Sequence, residues 1–235
     1  MRLHVGTSGW SYKEWKGSFY PADLPADDML RYYATRLSTV EINNSFYRIP
    51  KEKVLLEWAD QVPPDFRFVL KASRRITHIN RLGNEDGSLE YFMRTVNCLG
   101  ERLGPTLFQC PPSLRKDMAR LRDFLALVPR TWRAALEFRH ASWFADEVCD
   151  ALREHDVALV AVDEDESEGP GAPLVPTATW GYVRLRRADY TDEMLRGWLE
   201  RIQAEPWTEA FAFLKHDEEQ PTGPEAATRL RALAG

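Results

Sequence analysis

The chain of 235 residues is 44% hydrophobic, enough to bury a substantial core, and at this length an α/β barrel is ordinarily one domain, expected here over residues 1–235. A formal net charge of -5, with no long Lys/Arg run, argues against wholesale attraction to nucleic acid or anionic membrane and leaves room for a local basic site. Three widely spaced cysteines, Cys98, Cys110 and Cys149, suggest neither a disulfide framework nor a Cys-based zinc site, and no apolar run is long enough to span a bilayer, so a cytoplasmic setting is expected.

A β-rich run starts almost at once, at Leu3–Thr7, leaving no room for a secretory leader. Similar short runs follow at Thr39–Asn43, Phe66–Lys71, Thr106–Cys110, Ala134–Phe138, Val157–Val162, Tyr182–Arg186 and Ala210–Lys215. Between most of them apolar residues recur at helical spacing: Asp27–Leu37, Glu52–Asp60, Leu89–Leu103, Lys116–Leu127, Ala145–Glu154 and Asp192–Gln203, with a closing helix over Pro224–Leu233. Strands separated by helices need parallel crossovers, and eight such units predict a single (β/α)8 barrel of TIM type with its helices outside.

An open doubly wound sheet would want a glycine-rich fingerprint after the first strand. Gly6-Thr7-Ser8-Gly9-Trp10 has neither dinucleotide-binding nor P-loop spacing. One connection breaks the rhythm. Between strands six and seven, Asp163 to Trp180 carries an acidic run, Gly169-Pro170-Gly171 and two further prolines, which predicts a long loop in place of a full helix. Such a loop is either a lid or a plain surface segment.

Side chains alternate across a strand, so polar residues two apart near a strand's C-terminal end share a face. The rule selects Glu41 and Asn43, Lys71, Gln109, Glu137 and Arg139, Asp163, Arg184 and Arg186, and Lys215. These residues are expected at the C-terminal mouth of the barrel, where barrel enzymes build their active sites. Lys71, Arg139, Arg184, Arg186 and Lys215 outnumber Glu41, Glu137 and Asp163 in an otherwise acidic chain, which points to an anionic ligand. An internal network of mutually neutralising charges would explain pairing, though not the surplus of cations.

Aromatic residues fall in the loops above the same end: Trp10, Tyr12 and Trp15, then Phe46 and Tyr47, then Trp143 and Phe144. Some belong to the core, and Trp10, Tyr47 and Trp143 are candidates for stacking on a base or sugar ring. His140 joins the binding candidates, although a lone histidine is more often structural.

At these loops the sequence resembles the domain of unknown function 72 family, the YecE-like barrel proteins. Matching stretches are Gly6-Thr7-Ser8-Gly9-Trp10-Ser11-Tyr12 with Trp15, Gly17 and Phe19-Tyr20-Pro21, and Val40-Glu41-Ile42-Asn43 with Phe46-Tyr47-Arg48 and Pro50. The match continues through Phe68-Val69-Leu70-Lys71, Ile76-Thr77-His78, Leu107-Phe108-Gln109 with Pro111-Pro112, Glu137-Phe138-Arg139-His140 with Ser142-Trp143-Phe144, and Tyr182-Val183-Arg184. The resemblance implies a barrel and no established activity. Two stretches depart from the family pattern: Arg184-Leu185-Arg186-Arg187 stands where Arg-x-His-Gly is expected, and Leu214-Lys215-His216 where a Phe-Asn-Asn turn is expected.

Several chemistries can be weighed on these residues. Glu41 and Glu137 are the one obvious carboxylate pair for acid-base work. A divalent metal is not favoured: Glu41, His78, Glu137, His140, Asp163 and His216 form a sparse set without ligand spacing, among cations that repel it. No cofactor is identified. Lys71 suits either anion contact or Schiff-base chemistry, anion contact being preferred. Serine chemistry at Ser8 or Ser45 lacks a nucleophile elbow.

The expectation is therefore an enzyme, of the hydrolase or phosphoester-cleaving class, acting on a phosphorylated small molecule or nucleotide. Arginines and Lys71 would hold the anion, and Glu41, Glu137 or Lys71 would act in catalysis. The alternative is a noncatalytic binder of single-stranded nucleic acid or of an acidic protein segment. No membrane partner is expected, and the sequence leaves the oligomeric state open.

Overall fold

The structure is a computed structural model that describes residues 1–83, 87–165, 171–215 and 222–235. Among the described residues the chain forms nine strands, all parallel: β1 (Arg2–Ser8), β2 (Thr39–Ile42), β3 (Arg67–Lys71), β4 (Leu103–Gln109), β5 (Ala134–Glu137), β6 (Ala158–Leu159), β7 (Ala161–Asp163), β8 (Trp180–Leu185) and β9 (Glu209–Leu214). Their order is β6-β5-β4-β3-β2-β1-β9-β8-β7. The two ends of that order, β6 and β7, are halves of the one strand predicted at Val157–Val162, interrupted at Val160. Because β6 pairs with β5 and β7 with β8, this segment joins the sheet into the expected (β/α)8 barrel. The N–H of Val160 itself donates to Leu136 O at 3.0 Å.

The surrounding helices are α1 (Met29–Arg36), α2 (Glu52–Ala59), α3 (Ser88–Val96), α4 (Met118–Leu127), α5 (Asp146–Glu154), α6 (Asp192–Ala204) and α7 (Thr222–Ala234). Helix α5 shows why they form: Val148, Cys149, Ala151 and Leu152 share one buried face, and Asp146 and Glu147 sit in the first turn, where the helix dipole favours negative charge. Asp117 caps α4 by accepting the Arg120 N–H at 3.1 Å. Several boundaries shift by one or two residues, and the larger change, at the connection from α3 to β4, has a single reason. The helix predicted over Leu89–Leu103 gives way after Val96 to a 3-10 segment, Asn97–Arg102, broken at Gly100 (φ 54°, ψ -127°), and β4 then starts at Leu103, ahead of the predicted Thr106.

The long connection between β7 and β8 holds no helix among its described residues, as its prolines and glycines predicted; Gly169 and Pro170 lie outside those residues. Ala172 exchanges two backbone hydrogen bonds with Val162, 3.0 and 3.1 Å, which turns the loop back along the strand end.

Two apolar cores result. One fills the layer between strands and helices; the other lies inside the barrel, where Val69, Leu107, Val160, Trp180, Phe211 and Phe213 pack together. At Gly6 the strands come so close that a Cβ would lie 2.1 Å from Thr39 O, so no side chain fits there. The lumen is thus plugged below, and polar side chains collect above.

Candidate functional site

At the C-terminal end of the barrel, Arg184 on β8 reaches across the lumen to two carboxylates. One terminal nitrogen donates to Glu137 Oε2 at 2.6 Å, the other to Glu41 Oε1 at 2.7 Å. The exposures of Glu41, Glu137 and Arg184 are 0%, 1% and 2%, so all three charges are removed from water. Further donors complete the carboxylates. Glu41 accepts from Tyr182 Oη (2.7 Å), Ser8 Oγ (2.9 Å) and Asn43 Nδ2 (3.0 Å), and Glu137 accepts from Gln109 Nε2 (2.8 Å). Burial by itself would raise both carboxyls. The Arg184 charge, together with hydrogen bonds from Tyr182 and Asn43 on Glu41 and Gln109 on Glu137, outweighs it and holds both below the ordinary value, hence ionised. Arg184 is held above its ordinary value by the same two carboxylates, against the effect of burial.

Outside this triad the mouth is less completely paired. Lys71, at the end of β3, donates to the neutral amide oxygen of Gln109 at 2.7 Å and lies 4.4 Å from the centre of the Phe46 ring. Burial, then the Arg184 guanidinium, pull its amine down to about 8, against the attraction of Glu137 and Glu41. Arg139 approaches Glu137 at 3.6 Å and Glu164 at 3.5 Å, while Arg186 approaches Glu164 at 3.6 Å. These are ion-pair separations longer than hydrogen bonds. Among the described residues nothing hydrogen-bonds to buried Glu164 Oε2, Arg186 Nε or Asn43 Oδ1. His78 stands by Phe46 at 4.8 Å between centroids, and is held below its ordinary value by burial and then by Lys71, Arg74 and Arg139.

Alternation along the strands brings Glu41, Asn43, Lys71, Gln109, Glu137, Arg139, Arg184 and Arg186 to this end, and Lys215 follows β9 in the inward phase of Phe211 and Phe213. Asp163 goes elsewhere. Its carboxylate accepts from Arg187 Nε (2.8 Å), Trp198 Nε1 (2.9 Å) and Tyr190 Oη (3.0 Å), on the helix side of the strand. Val160 and Val162 face the lumen, so the next residue in that phase is Glu164, and it takes the place expected for Asp163.

The expected aromatic rim is also redistributed. Trp143 is fully buried, stacked on Phe138 at 4.2 Å, with its Nε1 donating to Leu114 O, so no ligand reaches it. Trp10 packs edge-on against Trp58, 4.9 Å between centroids, and lines a cavity of about 750 Å³ between the first loop and helices α1 and α2, beside the mouth. Tyr47 is 74% exposed on the edge of Phe46. His140 accepts the Ser142 N–H at 3.1 Å and so caps a short turn. Tyr182 and Ser8, absent from the residues expected at the mouth, join it as donors to Glu41, and strand alternation points to both, since each lies two positions from a lumen-facing neighbour, Arg184 and Gly6. Of the metal candidates, His216 lies outside the described residues, and among those described no three His, Cys, Asp or Glu side chains are placed to share an ion. No helix among the described residues is long and apolar enough to cross a membrane.

A closed parallel barrel with a plugged lumen and a charged C-terminal mouth defines the class: a TIM-type α/β-barrel protein. Within that class the chain belongs to the family described as protein of unknown function DUF72, whose model matches residues 4–235. It is 28% identical to UPF0759 protein YecE of Escherichia coli K12 over 61% of this chain, a stretch spanning half of that relative's length. It is 23% identical to UPF0759 protein YunF of Bacillus subtilis over 93% of this chain and 80% of the relative. The crystal structure of a DUF72 family protein from Thermotoga maritima superposes with a TM-score of 0.85 at 27% identity, covering 99% of both chains. A D-psicose 3-epimerase crystallised with D-fructose shares the fold alone, with a TM-score of 0.55 at 11% identity over 100% of this chain and 98% of the other.

Proposed function

We propose that this barrel is an enzyme that takes a small phosphorylated ligand at its C-terminal mouth, and that the reaction is cleavage of a phosphoester or a related hydrolysis. The observation that carries the reading is the Arg139–Glu164–Arg186 group. Two guanidiniums face one buried carboxylate at 3.5 and 3.6 Å, with Arg186 Nε and Glu164 Oε2 free of hydrogen bonds among the described residues. A tetrahedral dianion offers the oxygens that such arginines engage in pairs. Lys71 stands by as a group that changes protonation near neutral pH.

Glu41 and Glu137 fit the acid-base role less well. Each already accepts a short hydrogen bond from Arg184 and is held ionised, so neither has a proton to give. Their contribution is to fix Arg184 and, through Gln109, the position of Lys71.

A thermal-shift panel of inorganic phosphate, sugar phosphates and nucleotides, on wild type and Arg186→Ala, tests the reading. Ligand at ~100 Kd adds about 2.7 kcal/mol, several degrees for a domain of this size. A shift lost in Arg186→Ala is expected, and turnover of the ligand that gives it is then measured. No shift with any phosphorylated compound sinks the proposal.

A further inference from the structure

Lys71 has a different kind of partner from the arginines of the mouth, Arg139, Arg184 and Arg186, each of which faces a carboxylate. Glu41 and Glu137, the carboxylates whose charges act on Lys71, are committed to Arg184, and among the described residues no carboxylate lies within ion-pair distance of Lys71 Nζ. Its hydrogen-bond acceptor is the amide oxygen of Gln109, at 2.7 Å. The orientation of that amide is forced. Its Nε2 donates to Glu137 Oε1 at 2.8 Å, and a carboxylate accepts only from the NH2 end, so the carbonyl end must face Lys71. The ring of Phe46 covers another side at 4.4 Å. One N–H is therefore fixed on an oxygen of known orientation. A lysine kept only to hold an anion gains little from this setting, because the Arg184 and Arg186 charges oppose a third cation beside them.

We infer that Lys71 is a nucleophilic amine and that the ligand of the mouth is a phosphorylated aldehyde or ketone, which Lys71 captures as an imine. The inference rests on the anion site proposed above and narrows its ligand to one that carries a carbonyl group beyond the reach of the phosphate contacts. In the step, the neutral amine of Lys71 adds its lone pair to the carbonyl carbon, and the carbonyl oxygen takes up a proton as one leaves nitrogen. Loss of the resulting hydroxyl with the second amine proton releases one water and leaves the C=N bond, so no oxidant or reductant is involved. An amine pulled down to about 8 has a reactive neutral fraction at physiological pH that an ordinary surface lysine lacks. Phe46 and Gln109 are positioning residues: they hold Nζ without touching the carbonyl.

Pyridoxal 5′-phosphate is a suitable probe, since it joins a phosphate to an aldehyde that forms imines readily, and borohydride fixes the adduct for peptide mapping. Preferential labelling of Lys71 over Lys13, Lys16, Lys51, Lys53, Lys116 and Lys215 is expected. The labelling rate should rise with pH around a midpoint near 8, inorganic phosphate should slow it, and Lys71→Arg should abolish it while leaving the fold and the phosphate-induced thermal shift in place. Gln109→Leu, which removes the acceptor, should move the midpoint. Phosphate-sensitive binding of the probe without a Lys71 adduct overturns the imine and leaves the anion site standing. A Lys71 adduct that forms equally with pyridoxal lacking phosphate, and that phosphate does not slow, overturns the anion site and leaves the nucleophile standing. Labelling of Lys71 no faster than of the surface lysines overturns the inference itself.

Discussion

Glu41 and Glu137, on strands β2 and β5, share one guanidinium: Arg184 spans the lumen and donates to them at 2.7 and 2.6 Å. The pairing places the only fully buried ions of the described mouth in a single unit, with Tyr182, Ser8, Asn43 and Gln109 supplying the remaining hydrogen bonds. Removing one member exposes the cost of burying the others. Arg184→Met leaves two carboxylates uncompensated in the lumen and should cost about 3–5 kcal/mol. Urea denaturation measures it, and the combination with Glu41→Gln and Glu137→Gln should recover most of the loss. A cost for Arg184→Met below about 1 kcal/mol would show that the triad contributes little to the fold.

Asp163 and Glu164 are adjacent in sequence and opposite in placement, and their substitutions should separate cleanly. Asp163→Asn weakens the ties to Arg187, Tyr190 and Trp198 and should lower stability by about 1–3 kcal/mol with phosphate affinity unchanged. Glu164→Gln removes the carboxylate that competes for Arg139 and Arg186. It should tighten phosphate binding by about tenfold, a difference of about 1.4 kcal/mol in a titration. Equal affinities in the two variants would mean that Glu164 does not face the anion.

The pH dependence of stability should have two separate windows. Glu209, bound to His4 and Arg133 at the N-terminal end of the barrel, is raised by burial but lowered further by those partners, to about 2. A carboxyl whose folded value lies below its unfolded one stabilises the fold above the unfolded value, and that contribution is lost as pH falls from 4.5 toward about 2. Glu41 and Glu137 act in the same direction. Lys71 gives the same sign of slope in an alkaline window: its folded value of about 8 lies below the unfolded 10.5, so the unfolded chain binds more protons between them, and the cost of the buried cation is relieved as stability rises with pH across that interval. Urea midpoints collected across both windows should show a shallower acid limb in Glu209→Gln and no alkaline rise in Lys71→Met.

Much of the barrel was legible in the chain itself. Eight short apolar runs alternating with helical spacing allow few arrangements other than parallel crossovers, and strand alternation suffices to group Glu41 with Asn43, Glu137 with Arg139, and Arg184 with Arg186. These strands end in polar residues whose neighbours are apolar, so the chemistry of the residues fixes the phase. The run Val157–Val162 is apolar on both faces, as a strand between lumen and helix layer must be, and carries no phase of its own. Only the packed barrel, with Val160 and Val162 turned inward, decides that Glu164 and not Asp163 enters the mouth. The same holds for Trp143 and Trp10: composition places aromatic rings in the loops, but whether a ring covers a ligand or fills a gap depends on which partner reaches it first. Here Phe138 and Trp58 do.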